Sequence, residues 1–263
     1  MSLLRIAALI RRYYYLYRTS WPRVLELVYW PVMNLLLWGF ITMYLGRLSP
    51  VLPRVIPIFL GALILWDVLF RSQIGVTMAF LEEVWSRNLA SLFVSPLSVL
   101  EFVLGQVSVG LLRSLISTVV IAVLAALLYA FDVFDMGLPL LAFFGNLLVM
   151  GAAVGMFVCG LVLRFGQGAE GLAWAVIFAF MPISAVYYPV DVLPGWLQWI
   201  ALATPSANVF EGMRAVLLEG RFDMALFLRA VGLNAAYLVI GAGYFFWMFR
   251  SARERGLILQ MGE

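Results

Sequence analysis

Phe80-Leu-Glu-Glu-Val-Trp-Ser-Arg-Asn-Leu-Ala-Ser-Leu-Phe-Val-Ser-Pro-Leu-Ser98 is a polar island between two apolar runs, each long enough to cross a bilayer. Glu82, Glu83, Arg87 and Asn88 fall within it. A partner arriving from the water is therefore expected to meet the chain here. Trp85 and Leu89 stand beside the charges, which reads as a surface meant to be covered; the plainer reading is a solvated loop.

The apolar runs on either side are typical of the whole chain. Hydrophobic residues make up 65% and charged residues 12%, with a mean hydropathy of +1.02. Soluble domains stand near 45–50% and about 25%. The sequence thus reads as an integral membrane protein, and 263 residues leave room for about six helices in one domain.

All 17 basic residues are Arg, with no Lys and no His. A phosphate-binding loop of the G-x-x-x-x-G-K-[ST] type needs its Lys, so an ATPase site of that kind is excluded from this chain. Ser-His and Cys-His pairs and imidazole metal sites are excluded as well, and the lone Cys159 has no internal partner for a disulfide. The Arg residues gather at the ends of apolar runs and form no continuous basic patch, so the net charge of +3 does not point to nucleic acid.

Residues 1–24 mix Arg5, Arg11, Arg12, Arg18 and Arg23 with apolar side chains and with Tyr13, Tyr14, Tyr15 and Tyr17. This pattern predicts an amphipathic helix lying at the headgroup layer. It serves either as an interfacial anchor or as a lateral access site for an amphiphilic substrate. Apolar runs then predict spans at about 25–45, 57–78, 101–131, 138–163, 171–188 and 229–249, with a short loop around Arg47, Pro50, Pro53 and Arg54.

Asp67 falls about 15 Å into the second span, near the middle of a ~30 Å hydrocarbon core. A charge there costs at least about 2.5 kcal/mol on insertion scales, so it needs a partner or a cavity. Arg71, four residues on, shares its helical face. Asp67, Arg71 and, on the third span, Arg113 are candidates for a substrate path or a gate, the alternative for the first two being a structural ion pair. Ser108, Ser114, Ser117 and Thr118 either line the same path or bond their own helix backbone. Gly151-x-x-x-Gly155 on the fourth span permits close helix approach.

Between the fifth and last spans, Pro189, Pro194 and Pro205 cut residues 189–220 into pieces too short to cross and too apolar to float. Short helices dipping into the outer leaflet satisfy both constraints, and such backbone lines protein or a cavity. Thr204-Pro205 forms an N-cap and first-turn pair, and Glu211 and Arg214 share a face. Ten Arg lie on the side of both termini and the island against five on the other, which predicts cytoplasmic termini.

The layout resembles the permease subunit of ABC-2 type ATP-binding cassette exporters, a group that includes polysaccharide, teichoic acid, nodulation-factor and drug exporters. The resemblance covers nearly the whole chain. It is carried by Ser86 to Ser98, by Tyr188-Pro-Val-Asp-Val-Leu-Pro-Gly-Trp196 and by Thr204-Pro-Ser-Ala-Asn-Val-Phe-Glu-Gly-Met-Arg214. It implies an all-α membrane fold with six transmembrane helices, an N-terminal interfacial helix, a coupling region at 80–98 and a re-entrant segment before the last span.

By that likeness Glu82, Glu83, Trp85, Arg87 and Asn88 transmit force from a separate ATPase. Tyr187, Tyr188, Pro189, Pro194, Trp196, Pro205, Glu211 and Arg214 belong to an outer gate. The likeness also implies two ATPase copies that bind ATP and Mg, a second permease copy, identical or related, and a place in the bacterial inner membrane. Neither a cofactor in this chain nor a nucleic-acid partner is expected. The expected function is export of an amphiphile: a lipid-linked glycan, a glycolipid or a hydrophobic drug. The competitors are a membrane-embedded enzyme with Asp67 or Asp191 as base, and an anchor that recruits a soluble ATPase or scaffold without transport.

Overall fold

The computed structural model describes residues 2–48, 56–129 and 131–256, and every regular element among them is helical. Pro50, Pro53 and Arg54, which the first loop was expected to hold, lie outside the described residues. Ten α-helices follow in order: α1 (Leu3–Thr19), α2 (Trp21–Leu48), α3 (Ile56–Trp85), α4 (Leu89–Val94), α5 (Val99–Tyr129), α6 (Leu138–Phe165), α7 (Glu170–Ile183), α8 (Gly195–Leu202), α9 (Pro205–Glu219) and α10 (Met224–Glu254).

Five of them, α2, α3, α5, α6 and α10, are long and apolar enough to cross a membrane. Helix α7 is not. Its 14 residues rise about 21 Å, short of a ~30 Å core. The apolar run continues to Tyr188, but Pro182 removes a backbone donor from the last turn and Ala185 turns left-handed at φ 50°, so the helix stops at Ile183. The helix is thus shorter than the apolar run expected as the fifth span. Helix α3, conversely, outlasts the apolar run of the second and continues from Met78 through the acidic pair to Trp85.

Helix α3 is the hub of the bundle. It packs against α5 on one side and α6 on the other, while α10 covers α6 and α1 and α2 lean on α5. Small residues set the closest approaches. A Cβ added to Gly75 would lie 2.8 Å from the Cα of Gly110 on α5. On α6, a Cβ at Gly151 would meet Ser72 Cβ at 2.5 Å, and one at Gly155 would meet Val76 Cβ at 2.9 Å. The Gly151-x-x-x-Gly155 pair thus seats α6 on α3 within this chain. Asn234 on α10 donates to Asn146 Oδ1 on α6 at 2.8 Å, and both side chains are buried.

The faces left uncovered are apolar. Leu115, Ile116 and Val119 of α5, and Val239, Ile240 and Trp247 of α10, are exposed, as suits helices bathed in lipid.

Candidate functional site

The polar island folds as the end of α3, a sharp turn and the short helix α4. Arg87 makes the turn at φ 53°, a left-handed conformation rare for a residue with a side chain. The five residues expected to transmit force are divided by this geometry. Trp85 and Arg87 are exposed, and Glu82 and Asn88 are partly covered. Glu83 is 1% exposed and points inward. Leu89, expected on the covered surface of a docking site, is instead buried within the chain, while Val94 at the end of α4 is exposed.

Glu83 is where α1 is tied to the elbow. Its Oε1 lies 2.6 Å from Arg12 Nη1 and 2.7 Å from the Tyr13 hydroxyl, and its Oε2 accepts from Asn88 Nδ2 at 2.8 Å. The Tyr13 hydroxyl also lies 2.9 Å from the Ala79 carbonyl oxygen and accepts from Gln106 Nε2 at 3.1 Å. Burial, reinforced by the charge of Glu83, holds the Tyr13 phenol above its ordinary pKa, so it stays a donor. A second tie joins Arg5 to Glu101 at 3.4 Å, and Glu101 also accepts from the Ser2 and Ser98 amides at 2.6 and 2.9 Å.

The three candidates for a path are divided between two places. Asp67 and Arg71 pair at 3.3 Å, as their helical spacing allows, and Ser117 of α5 donates to Asp67 Oδ2 at 2.9 Å. Arg113 belongs to the elbow instead. Its guanidinium reaches Glu82 at 3.5 Å and lies 4.6 Å from the centre of the Tyr17 ring. The hydroxyls of α5 divide as well: Ser108 and Thr118 bond their own helix, whereas Ser114 and Ser117 bond α3.

Breaking the Asp67–Arg71 pair by Asp67→Leu leaves a largely covered guanidinium without its counter-charge. We expect a loss of about 3 kcal/mol in thermal or denaturant unfolding in detergent. The double change Asp67→Leu with Arg71→Leu should recover most of it. Equal losses in the single and double variants would remove the case for a structural pair.

On the opposite end, residues 184–220 form a compact hairpin of short helices. Thr204 caps α9 by accepting from the Ala207 amide at 3.2 Å, with Pro205 at the first helical position. Glu211 pairs with Arg214 at 2.9 Å and accepts from the Val190 amide at 2.7 Å, while Arg214 reaches the Val186 carbonyl. These contacts stitch the extended stretch carrying Pro189 to α9. Ser184 and Ser206 add a buried hydroxyl pair at 2.6 Å. Tyr187 stacks on Phe59 at 4.8 Å and on Trp38 at 5.8 Å, whereas the Tyr188 hydroxyl donates to the Pro182 carbonyl. Past Pro194, Trp196 and Trp199 of α8 project outward.

Sequence reasoning missed Tyr13, Gln106 and Glu101 as parts of the elbow. Tyr13 lies far along the chain from Glu83 and Gln106, and Glu101 from Ser2 and Arg5, so no short-range spacing marks these contacts. Among the described residues no cluster of three Asp, Glu or Cys side chains is placed to hold a metal ion.

The helical bundle has polar clusters at both ends, the elbow and the hairpin of short helices, with the Asp67–Arg71 and Asn146–Asn234 contacts between them. The family model for the ABC-2 type transporter matches residues 6–218, and the chain belongs to that family. The match spans α1 to nearly the end of α9. It makes this chain a multi-pass permease component of an ABC-type transporter, not itself catalytic, and family membership implies association with an ATP-binding cassette ATPase. No curated protein matches the sequence.

Proposed function

We propose that the chain is the transmembrane subunit of an ATP-driven exporter that moves an amphiphile, such as a lipid-linked glycan, a glycolipid or a hydrophobic drug, across the bacterial inner membrane. Two permease copies, identical or related, enclose the path. Two copies of a separate ATPase bind ATP and Mg, dock at residues 80–98 and drive the pair between states of different exposure. Both termini and the elbow face the cytoplasm. Helix α7 with the residues after it counts as the fifth of six spans, and α8–α9 form a re-entrant outer gate.

The observation that carries this reading is the exposure of Trp85 and Arg87 at the tip of the hub helix and of Val94 at the end of α4. An apolar ledge at a polar turn, backed by a rigid buried node, is suited to being covered by another protein. The five transmission residues then act in two ways. Trp85 and Arg87 touch the ATPase, while Glu82, Glu83 and Asn88 hold the ledge to α1 and α5.

The test is purification of the chain from its native membrane in mild detergent, with ATP hydrolysis assayed on what co-purifies. A stoichiometric ATP-binding cassette subunit is expected, and Trp85→Asp with Val94→Asp should release it while the permease stays folded. A native chain that emerges alone and inert, or an ATPase retained by the double variant, would overturn the assignment of the ledge.

A further inference from the structure

Where α1 meets α2 the chain breaks at Ser20, whose backbone is extended, and α2 begins directly at Trp21. An open groove of about 790 Å³ lies in the angle between the two helices. Arg11 and Arg12 line it from one face of α1, and Arg23 lines it from the first turn of α2. Arg12 is paired with Glu83. Arg11 and Arg23 have no acidic partner among the described residues.

Three Arg side chains thus line one groove, and among the described side chains a carboxylate, that of Glu83, pairs with just one of them. Like charges lining one groove disfavour one another, and an anion between them relieves this. Guanidinium donors match phosphate oxygens in pairs, which distinguishes a phosphate from a simple counter-ion. The Leu16 side chain and the Tyr15 ring supply an apolar wall beside the charges.

From this we infer that the α1–α2 groove binds the phosphate of an anionic amphiphile, with Arg11 and Arg23 as its principal ligands and the chain of the amphiphile along Tyr15 and Leu16. The site holds a phosphate whether or not the chain exports one. Its source is either an anionic lipid of the bilayer or a lipid-linked phosphate presented for transport.

The test uses the full chain in a non-ionic detergent and a fluorescent phosphatidylglycerol as probe. Binding is expected to weaken about tenfold or more in the Arg11→Gln, Arg23→Gln double variant, as two charge-assisted contacts are lost. Added NaCl should weaken binding to the unchanged protein. Arg250→Gln with Arg253→Gln, which removes two charges at the end of α10, should leave binding intact.

Competitors separate the sources. Displacement by farnesyl diphosphate but not by phosphatidylglycerol without a label points to a lipid-linked diphosphate, and equal displacement by both points to the bilayer. Displacement by inorganic phosphate shows that the headgroup alone suffices. The inference is overturned if the Arg11 and Arg23 double variant binds the probe with unchanged affinity, or if phosphatidylcholine competes as well as phosphatidylglycerol.

Discussion

Glu83→Ala is expected to detach α1 from the bundle. Glu83 is 1% exposed and serves Arg12, Tyr13 and Asn88 together, so its removal strands donors from two elements at once. Breaking a buried ion pair costs about 3–5 kcal/mol. Arg12 keeps 38% of its side chain exposed and can return to water, so we place the loss near the lower end, at about 3 kcal/mol. Glu83→Gln retains an acceptor for Tyr13 and should lose about half as much.

Trypsin provides the measurement, because Arg12 and Arg18 are cleavage sites on α1 itself. Faster cleavage there in Glu83→Ala, with Glu83→Gln between it and the unchanged protein, is the expected order. Identical digestion of all three would show that α1 is held without Glu83, by its apolar face through Leu9 and its neighbours and by the tie to Glu101. If the elbow docks an ATPase as proposed, Glu83→Ala should also weaken the link between ATP hydrolysis and substrate without releasing the ATPase, since the Trp85 and Val94 ledge is left in place.

Gly241→Leu should be more damaging still. Helices α6 and α10 form the most extensive contact in the bundle, and a Cβ at Gly241 would run into the backbone carbonyl of Ala153. A backbone atom cannot rotate aside as a side chain can, so the helices must separate. The cost should equal or exceed the roughly 3 kcal/mol at the upper end of ordinary overpacking. We expect little monodisperse protein by size-exclusion chromatography and a large drop in the unfolding temperature.

Gly243→Leu is the control on the same helix. Open space surrounds Gly243, so its replacement should change stability by no more than about 0.5–1 kcal/mol, and helix propensity favours a gain. Comparable damage at both positions would mean that α10 tolerates no bulk anywhere, and the close approach to Ala153 would lose its special standing.

How far the sequence could be read depended on how local each cause was. Asp67 with Arg71, Glu211 with Arg214 and the Thr204-Pro205 cap all follow from spacing along one helix, and each forms the contact that spacing predicts. The amphipathic pattern expected over residues 1–24 became a helix over Leu3–Thr19, α1, because its period is its own, but Trp21 to Val24 open the long helix α2 instead.

The elbow was another matter. Arg12 and Glu83 lie 71 residues apart, and Arg113 and Glu82 lie 31 apart. Glu82 and Glu83 are adjacent and chemically alike, yet one faces α5 and the other faces α1. Which neighbour each would find depended on how α1 and α5 pack on α3, and no pattern within the island records that. Arg113 was placed with Asp67 and Arg71 because all three are charged residues within spans. Its long side chain instead leans back toward the start of α5, carrying its charge to Glu82 near the polar end of the bundle.

The unbroken length of α3 has a mechanical consequence. Thirty residues make a rod about 45 Å long, and its one proline, Pro57, sits in the first turn where it does not bend the helix. It is gripped most tightly near Gly75, where Gly110 presses from one side and Gly151 and Gly155 of α6 bear on Ser72 and Val76 nearby. From that point the arm to Trp85 is about 15 Å and the arm to Ile56 about 29 Å. A rod pivoting there gears motion up about twofold, so a shift of about 2 Å at the elbow carries the far end about 4 Å the opposite way.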